Sequence, residues 1–82
     1  MNIVLYTKTI CPYCSAAKYW LKSKGYTYKE VNLDDDEERT KFYEKVGNGV
    51  RSVPQIFVDD ERIGGYQELT KSRLATTFTD EF

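Results

Sequence analysis

Two cysteines stand three residues apart in the unit Cys11-Pro12-Tyr13-Cys14, and the 82 residues contain no third cysteine and no histidine. That inventory constrains the chain more than any other feature. A structural zinc site takes about four Cys, His or carboxylate ligands, so one chain cannot complete the usual shell. A disulfide across so short a loop would stabilise by less than the ~3 kcal/mol expected of a loop of roughly 15 residues. Such a bridge is poorly placed to hold a fold together and well placed to open and close. The spacing therefore points to a redox pair, with an iron–sulfur cluster shared between two chains as the alternative.

The flanking sequence changes period at the motif. Residues 3–7, Ile-Val-Leu-Tyr-Thr, are a short run of β-formers suited to a strand buried on both faces. From Pro12 onward, Cys14, Ala17 and Leu21 recur at helical spacing while Lys18, Lys22 and Lys24 fall elsewhere. Pro12 suits a first helical position and Gly25 a left-handed stop, which predicts a helix over residues 12–24. Residues 26–33 read as a second strand. The acidic run Asp34-Asp35-Asp36-Glu37-Glu38 opens a second helix carrying Phe42 and Val46, closed by Gly47-Asn48-Gly49. Gln55-Ile56-Phe57-Val58 is a strand, Asp59-Asp60 a turn, and Glu61-Arg62-Ile63 its hairpin partner. Gly64-Gly65 precedes a last helix bearing Leu69, Leu74 and Phe78. The expected order is β-α-β-α-β-β-α in one domain spanning residues 1–82: the strands joined through a helix run parallel, and the closing hairpin is antiparallel. A Cys-x-x-Cys unit beside a βαβ pattern is a thioredoxin-like signature.

Composition removes other classes. A net charge of −1 and a pI near 5.4 supply no basic field for a nucleic-acid backbone. No apolar run approaches the roughly 18 residues that cross a bilayer, and the first residues lack the basic start of a secretory signal. A cytoplasmic protein is the default expectation, in a compartment where structural disulfides are disfavoured.

The spacing also explains reactivity. With Cys11 at the N-cap and Cys14 one turn deeper, free N–H groups of the first turn point at the Cys11 sulfur. They and the helix dipole favour a thiolate, and cysteines so placed ionise in the range of roughly 3.5–7.5 instead of about 8.5. Cys11 is the expected nucleophile. Cys14 is the resolving thiol that attacks the mixed disulfide formed on Cys11.

On these motifs the chain resembles the dithiol glutaredoxins over nearly its whole length. Lys8-Thr9-Ile10-Cys11-Pro12-Tyr13-Cys14, Ser52-Val53-Pro54-Gln55, Ile63-Gly64-Gly65 and a short final helix occur in the family's order. The Trp-Cys-Gly-Pro-Cys of thioredoxins is absent. The resemblance implies a thioredoxin-like α/β fold, a four-stranded mixed sheet flanked by three helices. It also implies a monomer that holds no permanent cofactor and uses glutathione as co-substrate. Its clients would be disulfide-containing or glutathionylated proteins, ribonucleotide reductase among them.

The same resemblance makes Pro54 a cis proline facing the cysteines, with Val53 free to pair with an extended peptide. It assigns the glycine carboxylate of glutathione to Lys8 and to a basic residue of the second helix, Arg39 before Lys41. Tyr13 flanks the tripeptide, Gly65 and Tyr66 take the γ-glutamyl carboxylate, and Glu68 reaches the ammonium. Gln67-Glu68 departs from the family's Thr-Asp, Ser-Asp or Asp-Asp; the longer acid is expected to cap the helix less well. Two other readings are a redoxin recharged by a flavoprotein reductase and a glutathione-bridged cluster carrier. Lys8, Arg39 and Gly64-Gly65 argue against the first, and Pro12 against the second.

Overall fold

The computed structural model describes residues 1–47 and 49–75. Its elements are β1 (Ile3–Thr7), α1 (Pro12–Ser23), β2 (Lys29–Asn32), α2 (Asp36–Val46), β3 (Gln55–Val58), β4 (Glu61–Gly64) and α3 (Tyr66–Thr70). The four strands form one mixed sheet in the order β2-β1-β3-β4, with β1 parallel to β2 and antiparallel to β3, and β3 antiparallel to β4. The expected element order and architecture are those observed.

Alternation along β1 divides the molecule. Ile3, Leu5 and Thr7 are buried on one face, where Ile3 and Leu5 join Ala17 and Leu21 of α1, Ile56 and Val58 of β3, Leu69 of α3 and Leu74 in an aliphatic core. Each fully buried Leu or Ile stabilises by about 1.5–3 kcal/mol of transfer free energy. Residues of the opposite parity face α2. There Tyr6 stacks on Phe42 at 4.3 Å between ring centroids, and Phe57 meets Tyr6 edge-on at 5.5 Å. Offset and edge-on geometries of this kind suit the ring quadrupoles.

The caps set the ends. Helix α1 starts at Pro12 and closes in a Schellman motif: Gly25 N–H donates to Lys22 O at 3.0 Å and Tyr26 N–H to Leu21 O at 2.9 Å. Gly25 holds φ +83°, which glycine adopts without a Cβ clash. Asp35 caps α2, its side chain accepting from Glu38 N–H at 3.0 Å.

Three boundaries differ from expectation. The second strand covers only Lys29–Asn32, because the Tyr26 N–H belongs to the helix cap and ladder pairing starts at Val4 opposite Lys29. The last helix ends at Thr70, and its Lys71 N–H and Ser72 N–H turn to Glu68 O and Leu69 O. Leu74 is buried beyond the helix end, and Phe78 lies outside the described residues. Gly64, expected to lie past the hairpin strand Glu61-Arg62-Ile63, is the last residue of β4. The hairpin turn does fall at Asp59 and Asp60, both at positive φ. The Asp59 carboxylate accepts Asn2 N–H at 2.7 Å while Asp59 N–H donates to Asn2 O at 2.8 Å.

Candidate active site

Strand β1 delivers the chain to the start of α1, where Cys11 is the N-cap. Its backbone is extended, and its Sγ accepts the Cys14 N–H at 3.1 Å. The two sulfurs are joined as a disulfide with Cα atoms 5.2 Å apart. Their environments differ. Cys14 is 1% exposed beneath the helix, whereas Cys11 is half-buried and reachable from solvent. An incoming thiolate therefore meets the Cys11 sulfur. When the bridge opens, the N–H already aimed at Cys11 favours its anion.

The Val53–Pro54 peptide bond is cis, and Cys11 Sγ sits 3.8 Å from the Val53 carbonyl oxygen. In the oxidised pair this is a contact, because the sulfur carries no proton. Ladder pairing of β3 begins at Gln55, so Val53 lies outside the sheet. A groove of about 200 Å³ runs beside Pro54, lined by Tyr13, Tyr66, Gln67 and Glu68. Tyr13 is 61% exposed, and its ring stacks with Tyr66 at 6.0 Å.

Gly65 is the N-cap of α3, and its N–H donates to Glu68 Oε1 at 2.8 Å. Glu68 thus closes the helix start from its third position, where a Glu reaches back to the N-cap N–H, although the longer acid is expected to cap less well. Gly64, at φ +127°, permits this: a Cβ there would lie 2.9 Å from Glu68 Cβ and Cγ.

The loop before Cys11 is pinned by residues that the sequence reading missed. The Asp34 carboxylate accepts both the N–H (2.8 Å) and the hydroxyl of Thr9. The Asn32 amide donates to Thr9 Oγ1 at 3.2 Å, and Leu33 N–H donates to Thr7 O at 2.7 Å. The two bonds from Thr9 hold Asp34 below the usual carboxylate range, the hydroxyl more strongly than the N–H, with smaller contributions from Asn32 and Lys8. The available signal was a short hydroxyl residue just before the motif and an acid just past β2; the acidic run hid it. Beneath, the Thr7 hydroxyl donates to Glu30 at 2.6 Å and Lys18 pairs with Glu30 at 3.2 Å.

Cys11, Tyr13, Cys14, Val53, Pro54, Gly65, Tyr66 and Glu68 are thus brought around one edge, with half-buried Lys8 in the pinned loop. Arg39 is directed elsewhere. Its Nη1 donates to Leu33 O at 2.9 Å and Asp34 O at 3.1 Å, and its Nη2 pairs with the Asp36 carboxylate. Lys41 is exposed. Among the described residues no cluster of three or more His, Cys, Asp or Glu is placed to hold a metal ion, and no helix is long and apolar enough to cross a membrane.

Residues 3–63 match the glutaredoxin family model. Glutaredoxin 3 of Escherichia coli is 41% identical over 68 residues, 83% of this chain and 81% of that protein. Glutaredoxin 1 of Francisella tularensis, crystallised with cacodylate, superposes with a TM-score of 0.79 at 38% identity, covering 85% of this chain and 88% of that one. The crystal structure of a buckwheat glutaredoxin–glutathione complex superposes at 0.74 with 27% identity, covering 85% and 66% of the two chains.

Proposed function

The chain belongs to the glutaredoxin family of thiol–disulfide oxidoreductases, and on that premise we propose that it reduces protein disulfides and glutathione mixed disulfides with glutathione as its thiol partner. One observation carries the reading: the half-buried Cys11 at a helix N-cap and the fully buried Cys14 one turn below are unequal partners.

The Cys11 thiolate attacks one sulfur of a client disulfide, forms a mixed disulfide and expels the client's other sulfur as a thiolate. Cys14, losing its proton, attacks Cys11 Sγ and releases the second client thiolate. The client has gained two electrons and the Cys11–Cys14 bridge has formed. A glutathione thiolate then attacks the accessible Cys11 sulfur and frees Cys14. A second glutathione attacks the glutathione sulfur, which yields oxidised glutathione and restores the Cys11 thiolate.

Tyr13 and Tyr66 wall the groove in which the tripeptide would lie, and Val53 offers it backbone pairing as to an added strand. Lys8 supplies a cation for the glycine carboxylate. Gly65 approaches the γ-glutamyl end beside Glu68. Arg39 would have to exchange Asp36 for the ligand to contribute. No permanent cofactor is needed, since glutathione is consumed as co-substrate. The cycle fits a monomer in the reducing cytoplasm, and its clients are proteins bearing disulfides or glutathione adducts.

Turnover of a glutathionylated peptide with glutathione tests this directly. Activity dependent on glutathione and on Cys11 is expected. An intact, reduced protein that does not turn over would refute the reading.

A further inference from the structure

A second cavity opens beside β4, and apart from Gly65 and Glu68 none of its lining takes part in this cycle. It measures about 350 Å³ and lies between residues 49–52 and β4, with Arg51, Ser52, Gln55, Arg62 and Glu68 in its lining. Glu68 also lines the groove beside Pro54, so the two hollows adjoin. Arg62 is held in place: its Nη1 donates to Gln55 Oε1 at 3.1 Å, and the Gln55 Nε2 donates to Ser52 O at 3.0 Å. Gln55 is 4% exposed. A buried amide, fixed by the backbone, thus orients a guanidinium without neutralising it.

Among the described residues neither Arg51 nor Arg62 has a carboxylate at ion-pair distance, whereas Arg39 and Arg73 each have one. The one acid in the lining, Glu68, already accepts from Gly65 N–H. A chain of net charge −1 therefore gathers two guanidiniums against one carboxylate in this lining, an excess of positive charge beside its reactive edge.

We propose that this cavity docks an acidic segment of the client protein, adjoining the client's own cysteine. The proposal rests on thiol–disulfide exchange at Cys11 and specifies its substrates. A client strand laid along Val53 advances about 3.3 Å per residue. Asp or Glu two or three residues from the reactive cysteine then lies roughly 7–10 Å along the strand, and Arg51 stands two residues from Val53 in the chain. A guanidinium fork matches a carboxylate in two bonds, and partial enclosure weakens screening relative to an open surface.

Two glutathionylated peptides that differ only in Glu or Lys at the second and third positions from the cysteine provide the test. The mixed disulfide of glutathione and 2-mercaptoethanol is the reference. The wild type should show a kcat/KM about fivefold higher for the acidic peptide, the size expected of two partly exposed ion pairs, and the preference should shrink with salt. Arg51→Glu with Arg62→Glu should invert the preference and leave the reference unchanged. Arg51→Glu alone, at an exposed side chain, should halve it at least. Equal rates on both peptides, or a preference that survives the double substitution, overturn the docking site while reference turnover keeps the exchange reading intact. Inhibition by millimolar inorganic phosphate without any peptide preference would assign the cavity to a free anion and likewise overturn it. Failure on the reference itself takes down both readings.

Discussion

Two helices begin beside the cis Val53–Pro54 bond, and together they display the two halves of a capping box. In α1 the N-cap side chain, Cys11 Sγ, accepts from the N–H of the third helical residue, Cys14. In α3 the side chain of the third helical residue, Glu68, accepts from the N–H of the N-cap, Gly65. Both ends meet the same requirement, because first-turn N–H groups lack helical partners. The acceptor decides the outcome. A carboxylate is already ionised and simply closes the end, whereas a thiol gains acidity from the bond and becomes a reagent.

The sharpest way to break the comparison is to exchange the reactive acceptor for an inert one. Cys11→Ser retains a good N-cap, so the variant should fold with a near-unchanged melting temperature while turnover on every substrate falls below detection. Cys14→Ser should be milder. It should keep glutathione-dependent removal of mixed disulfides and lose direct reduction of protein disulfides, measured in parallel assays. Equal loss from both substitutions would contradict the unequal roles.

At the α3 end the effects should be on stability. Gly64→Ala places a Cβ 2.9 Å from Glu68 at φ +127° and should cost about 1–3 kcal/mol in urea unfolding. Glu68→Ala removes only the acceptor and should cost about 1 kcal/mol, with KM for glutathione rising more than kcat falls. The smallest effect concerns the polar support of β1 and α1. Glu30 is held below its ordinary value near 4.5, first by the Thr7 hydroxyl and then by Lys18. A depressed carboxyl stabilises fully above that ordinary value and loses its contribution as pH falls through the folded one. Melting curves from pH 6 to about 3 should therefore fall more steeply for wild type than for Glu30→Gln.

The parts read correctly from sequence were those fixed by neighbouring residues. Pro12 and Gly25 bracket α1, alternation sets β1, and the Cys-x-x-Cys spacing places one sulfur at the cap and its partner a turn below. The parts that escaped depend on partners distant in the chain. Tyr26 and Tyr28 have strand-forming side chains, yet the Tyr26 N–H goes to Leu21 O and its hydroxyl to Leu74 O. Arg39 looked available for a ligand because the Leu33 and Asp34 carbonyls that hold it are exposed only by the corner between β2 and α2. The acidic run over residues 34–38 reads in sequence as one helix start. That holds for Asp35 to Glu38, but Asp34 faces back to Thr9 across 25 positions of sequence.

The mutual clasp of Asn2 and Asp59 has a practical bearing. It fixes the first strand at the end remote from the cysteines, and five strand residues separate the two ends by about 16 Å. Met1, 72% exposed, is thus a natural point for tethering to a sensor surface: immobilised there, the molecule would present its sulfur edge outward to the analyte.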